Sequence, residues 1–352
     1  MIRALWLGLV ALAWIVAAPA AAKSRLFSDD APLKIVITAP IQTLVRAAAT
    51  NTNPYPAILS VTEATAPAQS LPIQLSVRGH SRRSVDYCAF PPLLLEFDKA
   101  TAHGTLFQGQ RKLKLTTYCR PQPGYDQHIV LEYLAYKLYN LMTPISFRVR
   151  AADVTYRRDA GDPGVTRFGF LIEDVKELAE RNDRERLKAA THQVAVAQLD
   201  ALATARAALF EYLVSNLDWD FTAGPAGTDC CHNSRLIAAP GATAATARAV
   251  VPAPYDFDST GLVDPPYAET PPGIPVTRVT QRFYRGYCAS NGEIAAAGQD
   301  YLAHRAEMMA LIDGEARLNP EFRAKTDRFM DGFFAVLEDP ARFQREVVKH
   351  CR

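Results

Sequence analysis

The sequence predicts an α+β chain of two unlike lobes, a β-rich N-terminal half with one central helix and a mainly helical C-terminal half. Three observations carry this expectation. Between residues 33 and 172, short runs of Val, Ile, Leu and Thr are divided by Asn, Pro and Gly turns, the pattern of strands. A single long apolar run, residues 127–142, interrupts them and reads as a helix. Beyond residue 174 the apolar positions recur mostly at helical spacing. The expected boundaries are a targeting segment at 1–22, the β-rich lobe at 23–174 and the helical lobe at 175–352.

With 352 residues, 49% of them hydrophobic and 22% charged, the chain can bury a sizeable core. A net charge of +2 without a long Lys/Arg run gives no case for a nucleic-acid partner. The first 22 residues read as a secretory signal: Arg3, the apolar run Leu5 to Val16, then Ala20-Ala21-Ala22 as the cleavage site. The apolar run is shorter than the ~20 residues a membrane span needs. The mature chain is therefore expected to be periplasmic or secreted, without a transmembrane anchor. All six cysteines lie beyond the cleavage site, and an even number in an oxidising compartment suggests disulfides. Cys88 with Cys119 is the first expected pair, and Cys230 or Cys231 with Cys288 the second.

In chain order, strands are expected at Leu33–Thr38, Ala57–Val61 and Leu71–Val77. The polar turn Arg78-Gly79-His80-Ser81-Arg82-Arg83-Ser84 follows, and then a strand at Leu93–Phe97. Gln110–Thr116 alternates, with Lys112 and Lys114 on one face and Leu113 and Leu115 on the other. Asp126 is placed to cap the helix Gln127–Met142, which must end before Pro144. Glu132 falls inside its apolar surface, where a carboxylate needs a cationic partner. Strands at Phe147–Tyr156 and Arg167–Ile172 complete the first lobe. Helices are expected at about 193–216, 293–313, 320–337 and 340–350.

Chemistry concentrates between Leu209 and Asp258. An apolar helix leads into NLDWD, with Asp218 and Asp220; TDCCHN supplies His232 and Asn233; a short Val-Val-Pro strand leads into PYDFD, with Asp256 and Asp258. Carboxylates placed just past the ends of packed elements suit metal or phosphate chemistry, although Asp and Asn in such places also serve as turns and caps.

The order of these parts, with RGHSRR, LFQGQRKLKL, LEYLAYKLYNLM, NLDWD with a later HN, and PYDFD, resembles the CotH-type (spore-coat) family of atypical kinases over about residues 33–290. The resemblance implies a bilobal protein-kinase-like fold and phosphoryl transfer dependent on ATP and Mg²⁺ or Mn²⁺, to an unknown acceptor that is a protein or an envelope component. Lys114, with Lys112 as runner-up, would contact the nucleotide phosphates and Glu132 would hold that lysine. Arg78 and its turn would stand over the phosphates, Glu173 would begin the hinge near the adenine, Asp218 would act on the acceptor hydroxyl, and Asn233 and Asp256 would hold the metal. The sequence departs from common kinases in having no GxGxxG loop, no His-Arg before Asp218 and fifteen residues between Asp218 and Asn233. Two other functions stay open: a non-catalytic kinase-like binding module of the envelope, and a metal-dependent hydrolase using Asp218, Asp220, His232 and Asp256.

Overall fold

The computed structural model describes residues 25–63 and 67–352, so the expected signal segment lies outside the described residues. The chain runs β1 (Leu33–Thr38), α1 (Ile41–Ala47), β2 (Tyr55–Thr62), β3 (Gln69–Val77), β4 (Leu93–Glu96), α2 (Lys99–Ala102), β5 (Lys112–Thr116), α3 (Asp126–Met142), β6 (Val149–Arg157) and β7 (Val165–Ile172). It continues through α4 (Val175–Arg181), β8 (Glu185–Leu187), α5 (Ala201–Leu213), β9 (Ser234–Ala238), β10 (Val251–Pro254), α6 (Asn291–Ala303), α7 (Arg305–Asp313), α8 (Pro320–Glu338) and α9 (Pro340–Glu346).

The first seven strands close into a barrel in the order β1-β2-β3-β4-β5-β7-β6, with β1 pairing β6 in parallel and the other neighbours antiparallel. This overturns the bilobal kinase-like fold expected from the sequence. Alternation along each strand shows which face is buried, but an open sheet and a barrel present the same alternation. What distinguishes them is the long-range pairing of β1 with β6, for which a single strand carries no signal. Beside the barrel, β8, β9 and β10 form a three-stranded antiparallel sheet among the helices.

Alternation still explains the packing. In β5, Leu113 and Leu115 are fully buried in the barrel and the lysines lie outside. In β6, Ala152, Val154 and Tyr156 face the barrel interior, whereas Val149 and Ala151 join the core beneath α3. Where β7 meets β5, Gly169 allows a tight approach, since a Cβ there would sit 2.6 Å from the Thr116 carbonyl.

Helix α3 is apolar nearly all round and buried accordingly, packing on β6 and β7 on one side and the helical half on the other. Asp126 is its first residue, not its cap, and Gly124, at φ +81°, makes the turn that precedes it. Helix α5 is shorter than the expected 193–216 because Asp200 caps it, accepting the Ala203 N–H at 2.8 Å. The expected helix 293–313 is divided at His304 into α6 and α7.

Three disulfides are present. Cys88–Cys119 pairs as expected, with Cα atoms 4.6 Å apart. Cys288 pairs with Cys351, and Cys230 with its neighbour Cys231, which corrects the second expected pair. Among the described residues no helix is long and apolar enough to cross a membrane.

Candidate functional site

The site lies where the barrel's outer face meets the β9–β10 sheet and the loop after α5. β5 brings Lys114 to it. Lys112 is exposed and pairs with Glu96 at 3.2 Å, which leaves Lys114 as the lysine of the cleft. The Lys114 ammonium stands 4.9 Å from the centre of the Tyr255 ring, and Arg235 stacks on the same ring at 4.4 Å. Burial pushes Lys114 down to about 7, and the neighbouring Arg78 charge adds to the shift. Arg186 is lowered for the same reasons, burial first and Arg235 second.

Arg78 enters through the turn after β3, where Gly79 adopts φ +87°. Its Nη1 is buried without a hydrogen-bond partner. Among the described residues Lys114, Arg78 and Arg186 form no ion pair within 4 Å, and Arg235 bonds backbone carbonyls, at 3.0 Å for Ser234. Lys114 and Arg235 thus lie over Tyr255 with the charges of Arg78 and Arg186 acting on the same ring, and among the described residues no carboxylate forms an ion pair with any of the four.

The expected Lys114–Glu132 pair is not formed. Arg82, from the same turn as Arg78, takes Glu132 with both ends of its fork, Nη1–Oε2 at 2.9 Å and Nη2–Oε1 at 3.3 Å. The guanidinium also lies 3.2 Å from Asp258 and 3.7 Å from Asp256. Glu132 is buried, and burial pushes it up to about 7 against the pull of Arg82. Asp258, which accepts the Tyr267 hydroxyl at 2.9 Å, is also raised by burial. Arg82 escapes a sequence reading because RGHSRR offers three arginines and nothing local shows which one turns inward.

Asp256 follows β10. Its N–H donates to the Tyr136 hydroxyl of α3 at 3.0 Å, and Phe257 plugs the core against Tyr136 and Phe210. The Asp256 side chain remains 37% exposed. Asn233 continues the β9–β10 ladder, its carbonyl accepting the Tyr255 N–H at 3.0 Å, so it and Asp256 arrive from adjacent strands. Its Nδ2 donates to the Asp218 carbonyl at 2.7 Å, leaving Oδ1 without a protein partner.

Asp218 lies in the loop after α5. Its N–H donates to Asn216 Oδ1 at 3.0 Å, and its carboxylate, 62% exposed, is 2.8 Å from His232 Nε2. That contact raises His232 against the opposing effect of burial. Ser215, Asn233 and Asp256 all take left-handed backbone conformations, at φ +53°, +49° and +67°. Such conformations are costly for side-chain-bearing residues and concentrate where the surrounding structure fixes a site.

Two expected residues serve structure. Glu173 is fully buried and clamped by Arg181 at 2.7 Å, with its other oxygen accepting the Arg148 N–H at 2.9 Å, so its carboxylate is occupied within the protein. The Asp220 carboxylate accepts from the N–H groups of Thr222 and Ala223 and from the Tyr287 hydroxyl, and it pairs with Arg352 at 2.8 Å. It organises the turn and has no capacity for a metal. Among the described residues no three His, Cys, Asp or Glu side chains are arranged to hold a metal ion alone.

No family model matches the chain, and no curated protein matches it in sequence.

Proposed function

We propose that the protein is an exported phosphotransferase that takes a phosphate-rich donor such as ATP on Lys114, Arg78, Arg235 and Arg186 and passes a phosphoryl group to a hydroxyl held near Asp218. The observation that carries this reading is the group of four basic side chains that form no ion pair among the described residues, set beside the exposed carboxylates of Asp218 and Asp256. Unpaired cations are costly to gather in one cleft, and a polyphosphate supplies the charge they lack. The sequence motifs that resemble those of CotH-type kinases suggested the same chemistry, although the fold that the resemblance implies is not the one observed. The three disulfides suit an oxidising compartment.

Asp256 and the free Oδ1 of Asn233 are hard oxygen donors that fit Mg²⁺ or Mn²⁺, an ion commonly held by one or two protein oxygens together with substrate phosphates. When bound, the ion would neutralise charge on the donor phosphates. Lys114 and Arg78 fix the phosphates, Asp218 orients the acceptor hydroxyl or accepts its proton, and His232 holds Asp218 in position.

A thermal-shift and ADP-release assay on the mature protein tests this. Stabilisation that needs divalent metal and ATP together, with Asp218→Asn keeping the stabilisation and losing ADP release, is the expected result. A shift with metal alone favours the hydrolase, and no response to any combination favours the binding module. Either result refutes the proposal.

A further inference from the structure

We propose that the basic end of the cleft selects its ligand by the number of phosphates it carries and not by a nucleobase, so that inorganic tripolyphosphate binds there as tightly as ATP. The inference rests on the reading above only in placing phosphates on Lys114, Arg78, Arg235 and Arg186.

The four side chains come from four separate places: the turn after β3, then β5, β8 and β9. The register of the small sheet sets two of them on one face. Arg186 pairs with Ile237, two residues along β9 from Arg235, so both arginines project to the same side. Tyr255 shares that side, since Ala253 pairs with Arg235 and Tyr255 lies two residues further on. Lys114 reaches the same ring from the barrel. Arg78 acts on Lys114, and Arg235 acts on both Lys114 and Arg186, so the four follow one another in a row. A row of cations suits a chain of phosphates, because each further phosphate meets a further positive charge. Arg78 Nη1 is buried without a hydrogen-bond partner, a donor that a phosphate oxygen satisfies. The carboxylates of Asp256 and Asp174 also act on Lys114, but among the described residues neither forms an ion pair with it. Asp174 already accepts the Lys176 N–H at 2.8 Å as the cap of α4. The groups suited to reading a base are engaged as well. Tyr255, the ring on which a base would stack, carries Lys114 at 4.9 Å and Arg235 at 4.4 Å. Glu173, expected beside an adenine, gives its carboxylate to Arg181 and the Arg148 N–H.

Isothermal titration of the mature protein with phosphate, pyrophosphate, tripolyphosphate, ATP and GTP, at one free Mg²⁺ concentration and one ionic strength, tests this. Affinity should rise at least about tenfold with each added phosphate, the worth of a charge-assisted hydrogen bond, while ATP, GTP and tripolyphosphate agree within about threefold. Arg186 is exposed on β8, so Arg186→Gln leaves the core untouched. R186Q should weaken tripolyphosphate by about tenfold and phosphate hardly at all, a split that a merely structural arginine would not give. ATP bound at least about tenfold more tightly than tripolyphosphate overturns the proposal. So does an affinity that ignores phosphate number, an R186Q profile identical to wild type, or no binding by any of these compounds. Measuring ADP release from ATP separates the two readings. Equal binding of tripolyphosphate and ATP without ADP release keeps the selection by phosphate number and removes the phosphotransferase. ADP release with tripolyphosphate bound at least about tenfold more weakly than ATP does the reverse.

Discussion

Lys114 should destabilise the protein it serves, and pH should expose the cost. Its ammonium is pushed from an ordinary 10.5 to about 7, first by burial and then by Arg78. Each tenfold change in proton affinity is worth about 1.4 kcal/mol, so holding the charged form in the cleft would cost roughly 4–5 kcal/mol at most. Discounted for the solvent that still reaches the side chain, about 2–4 kcal/mol remains. The unfolded chain binds this proton more tightly than the folded one, so the penalty is full below about pH 7 and fades as pH rises toward 10.5. Lys114→Met removes the charge and keeps the chain length against Tyr255. Urea unfolding should therefore find K114M more stable than wild type by about 2–4 kcal/mol near pH 6, with the gap closing steadily above neutrality. Tripolyphosphate should stabilise wild type near pH 6 more than K114M, which keeps Arg78, Arg186 and Arg235. A K114M variant less stable than wild type near pH 6, or a difference independent of pH, would refute the argument.

Glu211, fully buried in α5, is held well above the ordinary carboxylate range by burial. Its raised proton affinity is a stabilising term at low pH that is lost as pH climbs above the unfolded value. E211Q should therefore gain on wild type in melting temperature as pH rises from about 5, and a constant difference would contradict this. The Cys88–Cys119 disulfide spans 31 residues, and C88S/C119S should lose about 3–4 kcal/mol in chemical unfolding; a loss below ~1 kcal/mol would mean the unfolded chain is little constrained by it. Leu115→Ala, in the barrel interior, should cost about 2–5 kcal/mol by the same assay, and a smaller effect would indicate that the interior collapses around the gap. Asp256→Asn should abolish the joint metal and ATP stabilisation while the apo melting temperature moves little; an unchanged joint shift would remove Asp256 from the metal.

The local parts of the fold are legible in the sequence, and their assembly is not. The seven strands of the barrel fall within a few residues of where alternation and turn residues place them, and α3 ends just before Pro144 as its sequence requires. Barrel closure depends on β1 meeting β6 in parallel, a pairing across more than a hundred residues. Ser234–Ala238 and Glu185–Leu187 were also hidden. Each is a strand only because β9 and its two neighbours share a three-stranded sheet, and three to five residues are too short for a period to register.

The site shows why type is easier to read than partnership. Lys114, Asp218, Asn233 and Asp256 each stand where an element delivers a polar side chain to one cleft, and an element's end can be inferred locally. Which cation meets Glu132 cannot. Lysine and arginine both satisfy the rule that a buried carboxylate needs a positive partner. Burial then separates them, because an ammonium can shed its proton and a guanidinium cannot. At the crowded acidic end, where Glu132, Asp256 and Asp258 converge, a neutral amine would leave carboxylates uncompensated, and Arg82 sits there. At the other end the neighbours are cations, and the residue is Lys114, whose proton affinity burial and Arg78 have already lowered. An incoming polyphosphate would reverse that shift by restoring the anionic partner. The cleft is thus divided into an acidic end that Arg82 offsets only in part and a basic end whose charge a ligand completes.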